Sequence, residues 1–382
     1  MSLWSADRRL LALDGGGTRG IVSLAFLERI EALLKARSGK GDAFRLADHF
    51  DLIGGTSTGA VIAAGLATGR TVSEIKTFYL DLAPRVFRRY WRVPYLQSLF
   101  SDWPVTQILA AELGDMTLDD PRIKTRLAIV TKRVDTGSPW IVSNLPDQPY
   151  WDDRADGLRR GNRHYKLAQL VRASTAAPFY FGPQRIAISA DVAGDFIDGG
   201  ITPYNSPVIP LLMLATMRRY GLCWPVGPEK LSLVSIGTGR YRYATATTWR
   251  PAWKLALWRP ASIFAIDTLQ GLIEDCQATS LMLMQWLGTS ESPWWLNRDL
   301  RELDGDCLAG SPLLSFQRYD LMLERAWLTE ILGRDWLRAT FGGELREGRV
   351  KRLQRFDSPA AMAELYALAR EVAERQIAPL NA

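Results

Sequence analysis

Residues 50–59 read Phe-Asp-Leu-Ile-Gly-Gly-Thr-Ser-Thr-Gly and lead into an alanine-rich stretch. An apolar run that enters a Gly-x-Ser-x-Gly turn and then a helix presents the serine, here Ser57, at a sharp strand-to-helix turn. Gly55 and Gly59 are expected there because side chains would collide with the crossing strand and helix. A helix N-terminus beside the hydroxyl would stabilise an oxyanion through its free N–H groups and partial positive charge. The motif indicates a nucleophilic serine, and a glycine-rich loop without chemistry is the alternative.

A second glycine-rich loop lies near the start of the chain. Residues 10–13 predict a short buried strand, and residues 14–20 read Asp-Gly-Gly-Gly-Thr-Arg-Gly. Apolar residues at helical spacing from Ile21 to Leu34 predict a helix that ends near Gly39. Such a loop directs backbone N–H groups at one point, which suits either a phosphate or the oxyanion of a tetrahedral intermediate.

A carboxylate that could act as a base follows a third segment. A predicted strand over residues 186–197 leads into an Asp-Gly-Gly turn at Asp198, which is a candidate to accept the proton of Ser57. A surface Asp-Gly turn is the alternative. The chain has only two histidines, His49 and His164, and both precede Asp198. Because a Ser, Asp, His triad in α/β-hydrolase order needs a histidine after the acid, the residues favour a Ser/Asp dyad.

Together the three motifs resemble the signatures of the patatin-like phospholipase family. Residues 14–20 match the family's glycine-rich oxyanion loop, residues 55–59 its nucleophile elbow, and Asp198 with its two glycines the acid motif. Residues 172–178 and 235–239 are similar to the family's segments before and after the acid. Three motifs in this order are far more specific than any one of them.

The resemblance implies a role for each matching position. Ser57 would be the nucleophile and Asp198 the base that takes its proton. The backbone N–H groups of Gly15, Gly16 and Gly17 would form the oxyanion hole, with Arg19 as an additional candidate. The motif-supporting residues are Gly20, Gly55, Gly59, Gly199 and Gly200. Residues 202–207 depart from the family, which often has paired asparagines there, but no catalytic atom is lost.

The resemblance also predicts the architecture. It implies a three-layer α/β core with a mainly parallel central sheet flanked by helices, spanning residues 11–211, with the sheet continuing to about residue 240. Residues 241–382 are expected to form a mainly helical C-terminal extension, with helices after Pro260, from Tyr319 to Leu332 and over residues 359–377. Pro251 and Pro260 mark the predicted boundary.

The implied activity is lipid acyl hydrolysis of the phospholipase A type, through an acyl-enzyme and without a metal or cofactor. Some bacterial members of the family are antiviral effectors switched on by cyclic nucleotides, so the region after Arg240 is a hypothetical site for such an activator. One alternative is a sugar kinase of the actin-like ATPase group that uses residues 14–18 for phosphate, which predicts a strand after Gly20. The other is a non-catalytic lipid-binding scaffold.

Composition bounds the setting. The 382 residues are 47% hydrophobic and 23% charged, carry a net charge of +6 and include three widely spaced cysteines. This favours a large α/β core in a reducing compartment. Without an apolar run of membrane length or room for a signal peptide before the first strand, we expect a cytoplasmic protein that contacts the inner membrane peripherally.

Two clusters interleave arginine with aromatic residues, over residues 86–95 and 249–259. Such clusters suit phospholipid headgroups, although ordinary packing of arginine stems on rings is the stronger alternative for each. Membrane phospholipids are therefore the expected partner, and no DNA or RNA is expected. The oligomeric state is not predicted.

Overall fold

One mixed sheet organises the described part of the chain. The computed structural model describes residues 3–88, 98–242, 261–297 and 299–377. Within these residues the strands are β1 (Arg8–Leu13), β2 (Leu52–Thr56), β3 (Arg126–Arg133), β4 (Pro139–Ser143), β5 (Gln184–Ala187), β6 (Ala193–Asp198), β7 (Leu231–Ile236) and β8 (Ser315–Tyr319).

The strand order is β5-β6-β3-β2-β1-β7-β8, and β4 also pairs with β3. The five strands β3, β2, β1, β7 and β8 are parallel, whereas β4, β5 and β6 join the sheet in antiparallel pairs. All six residues of β7 and the last four of β1 are buried, which is typical of parallel strands covered on both faces. The prediction of a mainly parallel central sheet is confirmed.

Helices cover both faces of this sheet. They are α1 (Gly20–Ser38), α2 (Thr58–Ala67), α3 (Val72–Val86), α4 (Asp102–Leu113), α5 (Leu167–Ser174), α6 (Val208–Thr216), α7 (Ala261–Leu287), α8 (Arg325–Leu332), α9 (Arg334–Phe341), α10 (Glu347–Leu353) and α11 (Met362–Gln376). No helix among the described residues combines the length and the apolar character that crossing a bilayer requires.

Alternating side chains of β1 divide the core into two layers. Leu11 and Leu13 pack in the cluster that includes α1, α2 and α11, whereas Leu10 and Ala12 pack on the other face with α6 and α7. This alternation follows from the two-residue period of a strand. The expected three-layer α/β architecture is therefore present.

The element after the first glycine-rich loop is a helix. α1 begins at Gly20 and ends before Gly39, whose left-handed backbone (φ 66°) terminates it as a glycine C-cap does. The sugar-kinase alternative predicted a strand at this place, and that prediction is wrong.

The sheet extends further along the chain than expected. The expectation that it ends near residue 240 needs correction, because β8 pairs in parallel with β7. Tyr319, expected to open a helix, is instead the last residue of β8, and the helix of this region is α8. The sequence did not predict a buried strand here, because the buried residues of β8 include the polar Gln317 and Arg318, which are only 4% and 3% exposed. α11 then packs along α1, where Arg29 and Glu374 form an ion pair of 3.1 Å.

The predicted strand over residues 186–197 is a pair of antiparallel strands, β5 and β6, that reverses between them. Residues 89–97 and 243–260 lie outside the described residues. Most of the first arginine–aromatic cluster, all of the second, and the boundary prolines Pro251 and Pro260 fall there.

Candidate active site

The predicted nucleophile elbow is the turn between β2 and α2. Ser57 has φ 55° and ψ −122°, a left-handed backbone conformation that costs energy for any residue other than glycine. A Cβ atom on Gly55 would lie 2.1 Å from the carbonyl oxygen of Gly59, and one on Gly59 would lie 2.1 Å from that of Leu13. The close crossing of strand and helix therefore requires glycine at both positions.

The register of the sheet brings Ser57 level with Asp198. Thr56 of β2 pairs with Val130 of β3, and the next residue of β3, Thr131, pairs with Asp198 of β6. The Ser57 hydroxyl donates a hydrogen bond of 2.6 Å to Oδ2 of Asp198. The two residues that the sequence named as nucleophile and base are in direct contact.

The environment of Asp198 makes its carboxylate more basic. The side chain is buried, and its Oδ1 accepts the N–H of Gly200 at 2.6 Å. Gly199 and Gly200 begin a short 3-10 turn directly after it. Burial raises the pKa of Asp198 to about 7, against the opposing hydrogen bonds from Ser57 and Gly200 and the charge of Arg172. A base with a pKa near neutral pH is well matched to proton transfer from a hydroxyl.

Ser174 holds the backbone of Ser57, the predicted nucleophile. Its hydroxyl accepts the N–H of Ser57 at 2.8 Å and donates to the carbonyl oxygen of Val130 at 2.6 Å. No motif in the sequence predicted a role for this serine. Its only signal was that it lies in the stretch 172–178, which resembles a family segment.

Arg172, in the same stretch, is the second residue without a predicted role. Its buried guanidinium donates to Asp102 at 2.8 Å and to the carbonyl oxygen of Gly182 at 3.0 Å. Its charge lowers the pKa of Asp198 and so favours the ionised carboxylate. The sequence could not show this effect on the pKa of Asp198, because Arg172 lies on α5 and Asp198 lies at the end of β6.

One of the three predicted oxyanion donors in the glycine-rich loop already has a hydrogen-bond acceptor. The N–H of Gly15 donates to the carbonyl oxygen of Asn205 at 3.1 Å, so this amide is not available to an oxyanion. The N–H groups of Gly16 and Gly17 have no acceptor among the described residues. Gly17 has φ 55° and Gly20 begins α1, so the loop turns tightly into the helix. The geometry therefore favours Gly16 and Gly17, not Gly15, as donors.

Arg19 lines the cavity into which the Ser57 hydroxyl opens. Its Nη1 donates to the carbonyl oxygen of Gly239 at 2.9 Å, and its guanidinium lies 5.5 Å from the centre of the Tyr241 ring. Its Nε is buried without a hydrogen-bond partner among the described residues. Arg19 thus contributes positive charge at the cavity while one end of its guanidinium is held by the backbone.

The Ser57 hydroxyl opens into a cavity of about 170 Å³. Ser57, Asp198 and the three loop glycines lie at one part of the wall, and the other walls are largely apolar. These walls are formed by Leu82, Ala83 and Val86 of α3 and by Phe87 directly after it, by Val61 and Val105, by residues 177–181, and by the C-terminal residues Leu269, Ile273 and Phe356. An apolar channel beside a nucleophile is suited to a fatty-acyl chain.

Neither histidine is placed as a base for Ser57. His49 is largely buried beside Arg9, and burial with this neighbouring charge lowers its pKa to about 3, so the ring is neutral. His164 lies at the surface, with its Nε2 3.2 Å from Asp153. The carboxylate of Asp198 remains the group that contacts the hydroxyl.

Comparison with known proteins gives consistent matches. The family model described as patatin-like phospholipase matches residues 11–212. A "cGAMP-activated phospholipase" of Escherichia coli is 30% identical over 236 residues, covering 60% of this chain and 62% of its own length. A Vibrio cholerae protein of the same name is 32% identical over 53% of this chain and 56% of its own. "Patatin-2-Kuras 4" of Solanum tuberosum is 28% identical over 65% of this chain and 69% of its own.

Proposed function

The chain belongs to the patatin-like phospholipase family, and from this premise we propose that it hydrolyses fatty-acyl esters of membrane phospholipids with a Ser/Asp dyad. The observation that carries the proposal is the 2.6 Å hydrogen bond from Ser57 to Asp198 at the end of an apolar cavity. Because the chain spans only 62% and 56% of the lengths of the two bacterial relatives, their activity supports the proposal without extending to every property of those proteins.

The proposed reaction has two acyl-transfer steps. Asp198 takes the proton of Ser57 as Oγ attacks the ester carbonyl, and the N–H groups of Gly16 and Gly17 stabilise the oxyanion. When the ester bond breaks, the leaving lysolipid oxygen receives that proton from Asp198 and the acyl group stays on Ser57. A water molecule then gives a proton to Asp198 and attacks the acyl-enzyme, which releases the fatty acid and returns the proton to Ser57.

Direct product analysis tests the activity. Purified protein is incubated with vesicles of mixed phosphatidylethanolamine and phosphatidylglycerol, and free fatty acid and lysolipid are measured by mass spectrometry, with and without cyclic nucleotides. We expect both products in equal amounts during early turnover, because one ester is cleaved per event. Lipid binding without either product under all conditions would favour the non-catalytic scaffold instead.

The membrane contact is proposed for an exposed apolar rim, defined as Leu99, Trp103 and Phe179. Their exposed fractions are 41%, 70% and 52%, and Phe179 also lines the cavity. The N–H of Leu99 donates to the carbonyl oxygen of Phe179 at 2.9 Å, and Asp102, next to Trp103, accepts the N–H of Gly182 at 2.9 Å. Phe179 thus connects the rim to the cavity, and in this proposal a lipid leaves the bilayer there.

Replacing Trp103 and Leu99 together by alanine should weaken vesicle binding by roughly tenfold or more, since burial of a large apolar side chain contributes about 1.5–3 kcal/mol. Sedimentation with vesicles measures this in a Ser57→Ala background, where no lipid is consumed. Leu158→Ala, at a position 69% exposed and outside the cavity wall, is the matched control. Equal vesicle binding by the double variant and the control would exclude the rim.

Activation by a cyclic nucleotide is the second part of the proposal. Its support is that the E. coli and V. cholerae relatives are both named cGAMP-activated phospholipases. The corresponding biological role would be that of a regulated, membrane-degrading antiviral effector.

We expect one member of a panel of cyclic di- and trinucleotides, including cGAMP, to raise fatty-acid release by about 5- to 150-fold, the usual range of coupling between two sites. Ser57→Ala should bind the same nucleotide in calorimetry, because the activator site is distinct from the nucleophile. If no nucleotide in the panel changes the rate or binds, this part of the proposal is wrong while the hydrolase proposal stands.

A further inference from the structure

A buried cluster of three charged side chains joins the C-terminal part of the chain to the glycine-rich loop. Nη2 of Arg318 donates to Oδ2 of Asp14 and to Oδ2 of Asp320, each at 2.6 Å. Asp14 is 1% exposed, Arg318 3% and Asp320 0%. Asp14 directly precedes the loop glycines, whereas Arg318 and Asp320 lie at the end of β8, outside the matched residues 11–212.

The sheet order explains how these groups meet. Leu13 of β1 pairs with Ile236 of β7, which in turn pairs with Tyr319 of β8. Arg318 therefore reaches across β7 towards Asp14. On the way its Nη1 donates to the Ser235 hydroxyl at 2.6 Å.

The same cluster holds both ends of the loop. Asp14 at the start is bound directly by Arg318. At the other end, Oδ1 of Asp320 accepts the N–H of Gly239 at 2.9 Å, and the carbonyl oxygen of Gly239 accepts Nη1 of Arg19 at 2.9 Å. Residues 14 and 19 bracket the amides of Gly16 and Gly17.

A second contact reaches Asp14 from α7. Nε2 of Gln277 lies 3.3 Å from the same Oδ2 that Arg318 binds. Three charges in a dry interior are costly unless they are paired, and removal of one partner leaves another charge uncompensated. Arg318 faces two carboxylates at once, so its loss would leave Asp14 and Asp320 opposed without a cation.

From this geometry we infer that Arg318 is a positioning residue that fixes the glycine-rich loop, through Asp14 and Asp320, in the arrangement that stabilises the oxyanion. The inference rests on the proposed function, because it assigns a role within that reaction. It makes β8, far outside the three motifs, part of what sets the catalytic geometry.

Loss of Arg318 should slow the reaction without weakening substrate binding. Arg318 does not line the cavity, so its loss should leave substrate binding intact. The oxyanion donors act only when charge develops on the carbonyl oxygen, and a misplacement of about 1 Å can cost about 10²-fold in rate. The effect should therefore appear in kcat and not in KM.

The test compares Arg318→Met, Arg318→Lys and Arg349→Met in the full chain, with a soluble short-chain ester as substrate. We expect Arg318→Met to lower kcat by about 10- to 100-fold with KM changed by less than about threefold, and Arg318→Lys to recover part of the loss. Arg349 is the control for an arginine-to-methionine change, because its pair with Glu364 at 3.0 Å, in which the side chains are 31% and 22% exposed, does not involve the loop. Circular dichroism and thermal unfolding confirm that each variant is folded at the assay temperature.

A double-mutant cycle separates coupling from general damage. Asp14→Asn should also lower kcat, and the double variant Asp14→Asn with Arg318→Met should be no slower than the worse single variant, because both changes break one interaction. Where Arg318→Met does not fold, Arg318→Lys carries the same cycle.

Unchanged kcat, or losses that multiply in the double variant, would overturn the role of Arg318. Both results are interpretable when the wild type hydrolyses the ester and Ser57→Ala does not. A wild type that is inactive on every ester and vesicle, both with and without the panel of cyclic nucleotides, instead refutes the proposed function itself, and with it the assigned role.

Discussion

Replacing Ser57 by alanine is expected to lower fatty-acid release from phospholipid vesicles by roughly 10⁴-fold or more. The hydroxyl is the only atom of the proposed dyad that bonds to the acyl group, so no partial reaction replaces it. The variant should fold, because the backbone of Ser57 is held by Ser174, whose hydroxyl accepts its N–H at 2.8 Å. Loss of the hydroxyl removes its bond to Asp198 but introduces no larger group.

The measurement is the initial rate of fatty-acid release, normalised to folded protein. Ser73→Ala, at an exposed position of α3, is the control for a serine-to-alanine change. A residual rate within tenfold of the wild type would mean that another residue is the nucleophile. A fluorophosphonate probe should label the wild type at Ser57 and leave the variant unlabelled.

Replacing Asp198 by asparagine is expected to lower kcat by about 10³- to 10⁴-fold. Asparagine has nearly the same shape and can still accept the N–H of Gly200, now 2.6 Å from Oδ1, but it cannot take the proton of Ser57. Because the fold is retained, binding of a non-hydrolysable ether lipid should be unchanged. Rates equal to those of the wild type would show that the carboxylate is not the base.

The pH dependence follows from the raised pKa of Asp198, which is about 7. The base must be ionised, so kcat/KM should be half-maximal near that pH and fall about tenfold per pH unit below it. Above it the rate should level off, since both the carboxylate and the serine hydroxyl are in the reactive form. A soluble ester assayed between pH 5 and about 9 measures this fall of kcat/KM at low pH, the acidic limb of the pH profile.

The control is Asp198→Asn, whose residual activity should not show the acidic limb, because the titrating carboxylate is absent. A limb with its midpoint near 4, the ordinary value for aspartate, would mean that the carboxylate is hydrated during turnover and that burial does not tune it.

Much of the site could be predicted because its parts are local. The elbow around Ser57 follows from strand, glycine and helix signals within about ten residues, and steric crowding at Gly55 and Gly59 allows no other residue. The helix from Gly20 to Ser38 likewise follows from apolar spacing and a terminal glycine. These features depend only on neighbouring residues.

Two predictions failed because the deciding contacts come from residues far away in the chain. β8 did not resemble a core strand because Gln317 and Arg318 occupy interior positions, and their cost is offset by hydrogen bonds to residues far away in the chain. Gly15 was predicted as an oxyanion donor because its position matches the family's glycine-rich loop. Only the position of the Asn205 carbonyl shows that this amide is already engaged.

The sequence by itself determined the candidate nucleophile and the first long helix, because sterics and apolar periodicity act within short windows. The resemblance of its three motifs to the patatin-like phospholipase family determined the family, the class of fold and the candidate base. The tertiary structure alone decided that Ser57 and Asp198, 141 positions apart, share a hydrogen bond, and that burial brings the pKa of Asp198 to about 7. It also decided that Arg318 binds Asp14 across β7. These facts depend on strand order, register and exclusion of water, which arise only when distant segments pack together.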